Sequence, residues 1–281
     1  MRLNAYVLAA DPAFLTASLR AYYPAVDRIV VSFDQDHLSW SGRSLPVTAC
    51  LAAVRALDVD GKCVLAPGAY SRPGEPPLES ETIQRRKAVD LASDGADWVL
   101  QLDTDEVIPH LAPFLGAIDR ADAAGASALH YPSRWLYTRV GEGRYLETST
   151  RLGRTVSHYP GPLAVAAGTS LTHCRQAEDA PHYRIDVRPW NTDPNHPRNA
   201  VVHEVIAPRD AVLHFSWVRS DETMRDKFAW SGHADRFTAP AVYRRWAWRS
   251  RHPRLTAAMS LVRPDDHYRV VRLPEPPGGE P

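Results

Sequence analysis

The sequence predicts an α/β protein with a mostly parallel central sheet, helices on both faces and an elaborated C-terminal half. Three observations predict it. Short apolar runs alternate with amphipathic segments from Leu3 to Asp103, the β-α-β-α pattern of a doubly covered sheet. The runs themselves are nearly all apolar, as strands buried on both faces must be. Two of them end in aspartate, and such sheets bind ligands beyond the carboxyl ends of their strands.

The elements follow in order. Leu3 to Leu8 is a strand, and Asp11-Pro12 opens a helix whose buried stripe is Phe14, Leu15, Leu19 and Tyr22 or Tyr23. Arg28 to Phe33 is a β-branched second strand ending at Asp34. Val47 to Leu57 reads as a helix and Lys62 to Ala66 as a third strand, followed by a Pro/Gly loop from Pro67 to Pro77. Glu79 to Ala92 is a helix carrying Gln84-Arg85-Arg86-Lys87, and Asp94-Gly95 leads into the strand that ends at Asp103.

Composition excludes several classes. The 281 residues carry 33 basic and 33 acidic side chains, so attraction to nucleic acid is not a whole-chain property. Cys50, Cys63 and Cys174 have no paired spacing, which argues against a zinc knuckle or a disulfide framework. The chain opens directly on strand-like residues, with no basic segment leading into a long apolar one. A cytoplasmic protein without a signal peptide or transmembrane segment is therefore expected. The run Tyr243 to Arg251 interleaves basic and aromatic residues. It suits either peripheral membrane contact or a helix whose arginines pack over indoles.

The candidate chemistry lies in Asp103-Thr104-Asp105-Glu106. Side chains alternate along an extended chain, so Asp103 and Asp105 project to one side. Two hard oxygen ligands suit Mg²⁺ or Mn²⁺, which in turn suit a phosphorylated substrate. A solvated acidic loop capping the next helix, with Pro109 in its first turn, is the alternative. There is no GxGxxG and no GxxxxGK[ST], so a metal must replace the glycine loop as the phosphate grip.

These segments resemble the GT-A glycosyltransferases, specifically the family 2-like group with a DxDE sequence. Gln84 to Ala92 followed by Asp97 to Glu106 looks like that family's helix, strand and DxD motif, although the family has Arg-Asn where this chain has Arg85-Arg86. Val201-Val202-His203-Glu204-Val205-Ile206 looks like its His-Glu element, and Val212 to Trp217 looks like its later histidine strand. The resemblance implies a Rossmann-like GT-A fold, with residues 1–110 as a nucleotide-sugar-binding half. Residues 111–273 would complete the metal site and bind the acceptor, and 274–281 would be a disordered tail.

It also implies roles. Asp34 would contact the nucleobase, Arg85 would lie near base or diphosphate, Asp103 would touch ribose and metal, and Asp105 and His214 would complete the metal shell. The general base of an inverting transfer would be Glu204, framed by apolar neighbours that favour burial and a raised pKa, with Glu106 second. From the residues themselves, Lys227, in a helix expected over Thr223 to His233 with Trp230 on the next turn, would reach phosphate, or the segment is an amphipathic surface helix. Tyr131 to Tyr137 would offer stacking surface to an acceptor or simply pack in the core, and the loop from Arg188 to Asn199 would close over the donor.

The implied activity is transfer of a sugar from a UDP-, GDP- or dTDP-linked donor, with Mn²⁺ or Mg²⁺, to an acceptor hydroxyl. That acceptor would be a glycan, a small molecule or a lipid-linked species, and no nucleic acid is involved. A nucleotidyltransferase is the enzymatic alternative, although Ala9-Ala10-Asp11-Pro12 lacks the glycine-rich basic loop it would need. A catalytically silent sugar- or partner-binding protein on the same fold is the other.

Overall fold

The computed structural model describes residues 1–196, 199–230 and 240–273. An eight-stranded sheet runs through it in the order β11-β10-β6-β9-β4-β1-β2-β3. Its members are β1 (Leu3–Leu8), β2 (Arg28–Asp34), β3 (Cys63–Gly68), β4 (Trp98–Gln101), β6 (Ala128–His130), β9 (Ala164–Ala166), β10 (His182–Asp186) and β11 (Glu204–Val205). All pairings are parallel except those of β9, which runs antiparallel to both β4 and β6. The expected mixed α/β sheet is therefore present.

The period-two alternation of the strands sorts side chains to two cores. Leu3, Ala5 and Val7 of β1, with Ile29, Val31, Trp98 and Leu100, face α1 (Leu15–Tyr22), α2 (Val47–Leu57) and α4 (Leu111–Ala123). Tyr6, Leu8, Val30 and Val99 face the other side, against Ala88, Val89 and Ala92 of α3 (Pro77–Ser93). Each fully buried aliphatic side chain contributes about 1.5–3 kcal/mol relative to exposure. The small alanines let α3 lie close to the sheet and hold its polar N-terminal turns over the strand ends.

A second sheet was not expected from the sequence. Its order is β13-β8-β7-β12-β5, from β5 (Glu106–Val107), β7 (Ser133–Gly141), β8 (Arg144–Thr148), β12 (Val212–His214) and β13 (Tyr268–Arg272). It packs against α5 (Asp221–Trp230) and α6 (Pro240–Arg251) through Tyr137, Leu146, Met224, Phe228, Trp246 and Tyr268. A last short helix, α7 (Pro253–Met259), precedes β13. The two halves expected at residue 110 thus interleave: β5 leaves the first half for the second sheet, while β6, β9, β10 and β11 extend the first. The expected tail, 274–281, lies outside the described residues, as do His233 and residues 197–198 of the loop.

Candidate active site

β4 ends at Gln101, and the chain turns back at Asp103, whose carbonyl accepts the Glu106 N–H at 3.0 Å. β12 then pairs antiparallel with β5, placing His214 opposite Glu106. That register is the reason two motifs more than a hundred residues apart meet. His214 Nε2 lies 3.2 Å from Asp105 Oδ1, and the Phe215 N–H fixes the Asp105 carbonyl at 2.8 Å.

Both aspartates are held by cations. Arg85 donates to Asp103 Oδ1 at 2.8 Å and, through Nε, to Glu81 at 2.8 Å. On Asp105 Oδ2 converge Lys227 Nζ at 2.7 Å and Arg219 at 3.1 Å, while Arg219 also holds Asp11 at 2.8 Å. Burial would push the Asp103 carboxyl up, but Arg85 and Arg175 outweigh it and hold the carboxyl down at about 2. Burial likewise opposes ionisation of Asp105, and Lys227, His214 and Arg219 override it, so its carboxyl sits well below the ordinary range. Both groups are permanent anions at neutral pH.

Glu106 is different. It is wholly buried, with Arg175 donating to its two oxygens at 2.6 Å each and to the Gln101 carbonyl at 2.8 Å. Gly161 makes room for that arginine: a Cβ there would fall 2.6 Å from Arg175 Cγ, on a backbone with φ of +151°. Glu106 also accepts the Asp103 N–H at 2.9 Å. It is a brace beneath the two aspartates, out of reach of any acceptor, so the expectation of a reserve base is corrected.

Glu204 is not brought to this place. It sits on edge strand β11, where Arg120 grips both its oxygens at 2.6 and 2.8 Å. Half of its apolar frame faces solvent, with Val201 64% and Val205 47% exposed, while Val202 is half-buried and Ile206 packs against the core. Asp34 is likewise committed elsewhere. It accepts the N–H groups of Asp36, Leu38, Tyr70 and Ser71 at 2.8–3.2 Å, organising two loops. It lines a small recess with Trp40 and Gln84, beside the main cavity, and its oxygens are occupied by backbone donors.

The main cavity has a volume of about 560 Å³, inside the roughly 300–1,000 Å³ typical of small-molecule sites. Asp103, Asp105, His214, Arg85 and Lys227 all line it. So do Trp40, Trp217 and Arg175, which the sequence reading did not assign to the site, together with Trp135 of the expected stacking run and Asp193 and His196 of the loop expected to close over the donor. Of the run Tyr131 to Tyr137, Trp135 reaches the cavity, stacked on His158 at 4.3 Å, whereas Tyr131 and Leu136 are core.

The loop expected to close over the donor is tightly tied. Asp186 accepts from Ser157 and twice from Thr192, Arg184 donates to Asn191, and Asp193 accepts the N–H groups of Tyr159 and Asn195. Up to His196 these bonds make the loop a wall of the cavity, with His196 Nε2 3.7 Å from Asp193 Oδ2.

The donor chemistry fits a divalent cation. Asp105 Oδ1 and His214 Nε2 are 3.2 Å apart in a hydrogen bond, close enough to become neighbouring ligands of one octahedral ion, which lie roughly 3 Å apart. His214 Nδ1 is buried without a hydrogen-bond partner and lies 3.8 Å from Glu106 Oε1. A ligating histidine turns its other nitrogen toward such a carboxylate. Among the described residues no group of three or more side chains is placed to hold a metal. The remaining ligands would come from substrate and water, as is usual for Mg²⁺.

No protein-family model matches this chain, and no curated protein matches it. It is similar in backbone path to a crystal structure of 4-diphosphocytidyl-2C-methyl-D-erythritol synthase from Anaerococcus prevotii. The TM-score is 0.36, with 12% identity over 59% of this chain and 70% of that one. Among the described residues no helix is long and apolar enough to cross a membrane.

Proposed function

We propose that this chain is an inverting glycosyltransferase of the GT-A type that uses a nucleoside-diphosphate sugar. The observation that carries the reading is the convergence of Asp103, Asp105, His214, Arg85 and Lys227 on one cavity at the carboxyl end of β4. Asp105 and His214 would hold a divalent cation, Mn²⁺ or Mg²⁺, which offsets the charge developing on the leaving diphosphate. Lys227 is poised to move from Asp105 to a phosphate oxygen, and Arg85 fixes Asp103 for a ribose hydroxyl. Trp40 and Trp135 supply apolar faces for base or sugar.

The general base is assigned to His196. It lines the cavity, with its Nε2 3.7 Å from Asp193 Oδ2. The acceptor oxygen gives its proton to His196 and bonds to the anomeric carbon from the face opposite the diphosphate. The carbon–oxygen bond to the diphosphate breaks, and the nucleoside diphosphate leaves with the electron pair.

Product analysis tests this against nucleotidyl transfer. Incubation with UDP-, GDP- or dTDP-sugars and Mn²⁺ is expected to release nucleoside diphosphate, slowly to water and faster with an acceptor, and Asp105→Ala is expected to abolish it. Release of inorganic pyrophosphate from a nucleoside triphosphate would instead establish the alternative. Turnover unchanged in Asp105→Ala would refute the assignment.

A further inference from the structure

The segment from Pro240 to Arg263 contains six arginines and no aspartate or glutamate, in a chain whose basic and acidic residues are equal in number overall. It folds as α6, α7 and the turn that follows. Arg249 is drawn inward, donating to the Tyr268 hydroxyl at 2.8 Å and to Asp266 at 2.8 Å, and Trp246 is buried beside it. These account for the aromatic and arginine packing. The rest of the segment is left over.

On α6 the exposed residues are Ala241, Arg244, Arg245, Trp248 and Arg251, with Arg245, Trp248 and Arg251 one, four and seven positions on from Arg244 and so on one face of the helix. On α7 and its turn they are Arg254, Leu255, Ala258, Leu261 and Val262, again at helical spacing. Leu255 is 51%, Leu261 59% and Val262 78% exposed. The Trp248 and His252 rings, 5.3 Å apart, carry the first stripe towards the second. Asp221 and Asp266 pair with Arg251 and Arg245. Arg244 and Arg254 have no acidic partner among the described residues.

We propose that α6 and α7 form a docking surface for an anionic lipid bilayer. The charge selects an anionic partner, and the aliphatic side chains select lipid over nucleic acid. Arginines alone suffice to neutralise phosphates, whereas Leu255, Leu261 and Val262 neither stack on bases nor gain from contact with a phosphate backbone. In a bilayer interface they enter the boundary of the acyl chains while the arginines stay with the headgroups. Each basic side chain near an anionic surface raises partitioning roughly fivefold. This surface stands independently of the transferase reading.

Sedimentation of the full chain with vesicles tests it. The chain is expected to bind mixed phosphatidylcholine–phosphatidylglycerol vesicles and not pure phosphatidylcholine, and to be released at about 1 M salt, where the screening length is ~3 Å. R244E/R254E and L255S/V262S, all exposed positions, are each expected to lose at least about tenfold in partitioning, with unchanged melting temperature. No sedimentation with the mixed vesicles, or equal binding to pure phosphatidylcholine, overturns the proposal. So does tighter binding to single-stranded RNA that the arginine changes abolish and L255S/V262S leaves intact.

Discussion

His214 Nε2 and Asp105 Oδ1 stand 3.2 Å apart because β12 pairs with the two-residue strand that immediately follows the Asp103 to Asp105 turn. The pair is a product of register: a slip of one residue would turn His214 to the other face of the sheet. Arg175 and Glu106 hold that register from below.

Arg175→Met is expected to be severely destabilising. It strands the wholly buried Glu106 carboxylate without its counter-charge, and breaking such a pair costs about 3–5 kcal/mol. Urea denaturation measures it, and Arg175→Lys should restore only part, because a lysine cannot grip both oxygens.

Asp34→Asn separates loop organisation from base recognition. Four backbone N–H groups converge on this carboxylate. The variant is expected to lose about 2–4 kcal/mol of stability, from hydrogen bonds to a charged group. Folded variant should rank UDP, GDP and dTDP as the wild type does; a changed nucleotide preference would restore the base-contact role.

Glu204 and His196 are distinguished by kinetics. Glu204→Gln is expected to leave turnover within about twofold and to cost under ~1 kcal/mol, since the Arg120 pair is partly exposed. His196→Ala is expected to lower kcat by about 10²–10⁴ while nucleotide affinity is retained.

Acid should destabilise the fold in two steps. His158 is buried, which together with the nearby His214 pulls its pKa down to about 4, although Asp193 opposes the shift. The unfolded chain then binds a proton that the folded chain refuses between its ordinary value of 6.5 and about 4, so stability falls as pH falls through that window. His130, which burial and the nearby His182 hold down at about 3, acts in the same window, so His158→Gln should lessen the slope there without removing it. Below it, Asp103 contributes stability that is full above the unfolded value near ~3.9 and is lost as pH falls towards about 2. Thermal melts against pH show both.

The legible parts of this molecule were those whose signal is local. β1, β2 and α2 read directly from apolar runs and helical spacing, Asp103 and Asp105 from a strand end and Lys227 from a short helix, whereas Arg85 and His214 came from the family resemblance. The second sheet was not legible, because β5 and β12 are two and three residues long and exist only by pairing with distant chain. Arg175 sits in a loop with no period, and only its partner Glu106 gives it meaning. Glu204 misled because Val201, Val202, Val205 and Ile206 look like a buried strand, whereas position at a sheet edge is a property of topology. His196 is placed by the hydrogen bonds of its loop, which the sequence shows only as polar residues.

Calorimetric titration of UDP, GDP and dTDP into the folded chain, with and without Mn²⁺, tests the central claim most directly. At least one nucleotide is expected to bind, tighter with Mn²⁺, and Asp105→Ala or His214→Ala should remove the gain due to the metal while leaving a weaker, metal-independent affinity through Lys227. Absence of binding by every nucleotide in every combination, or a metal-dependent gain that survives both substitutions, would contradict it.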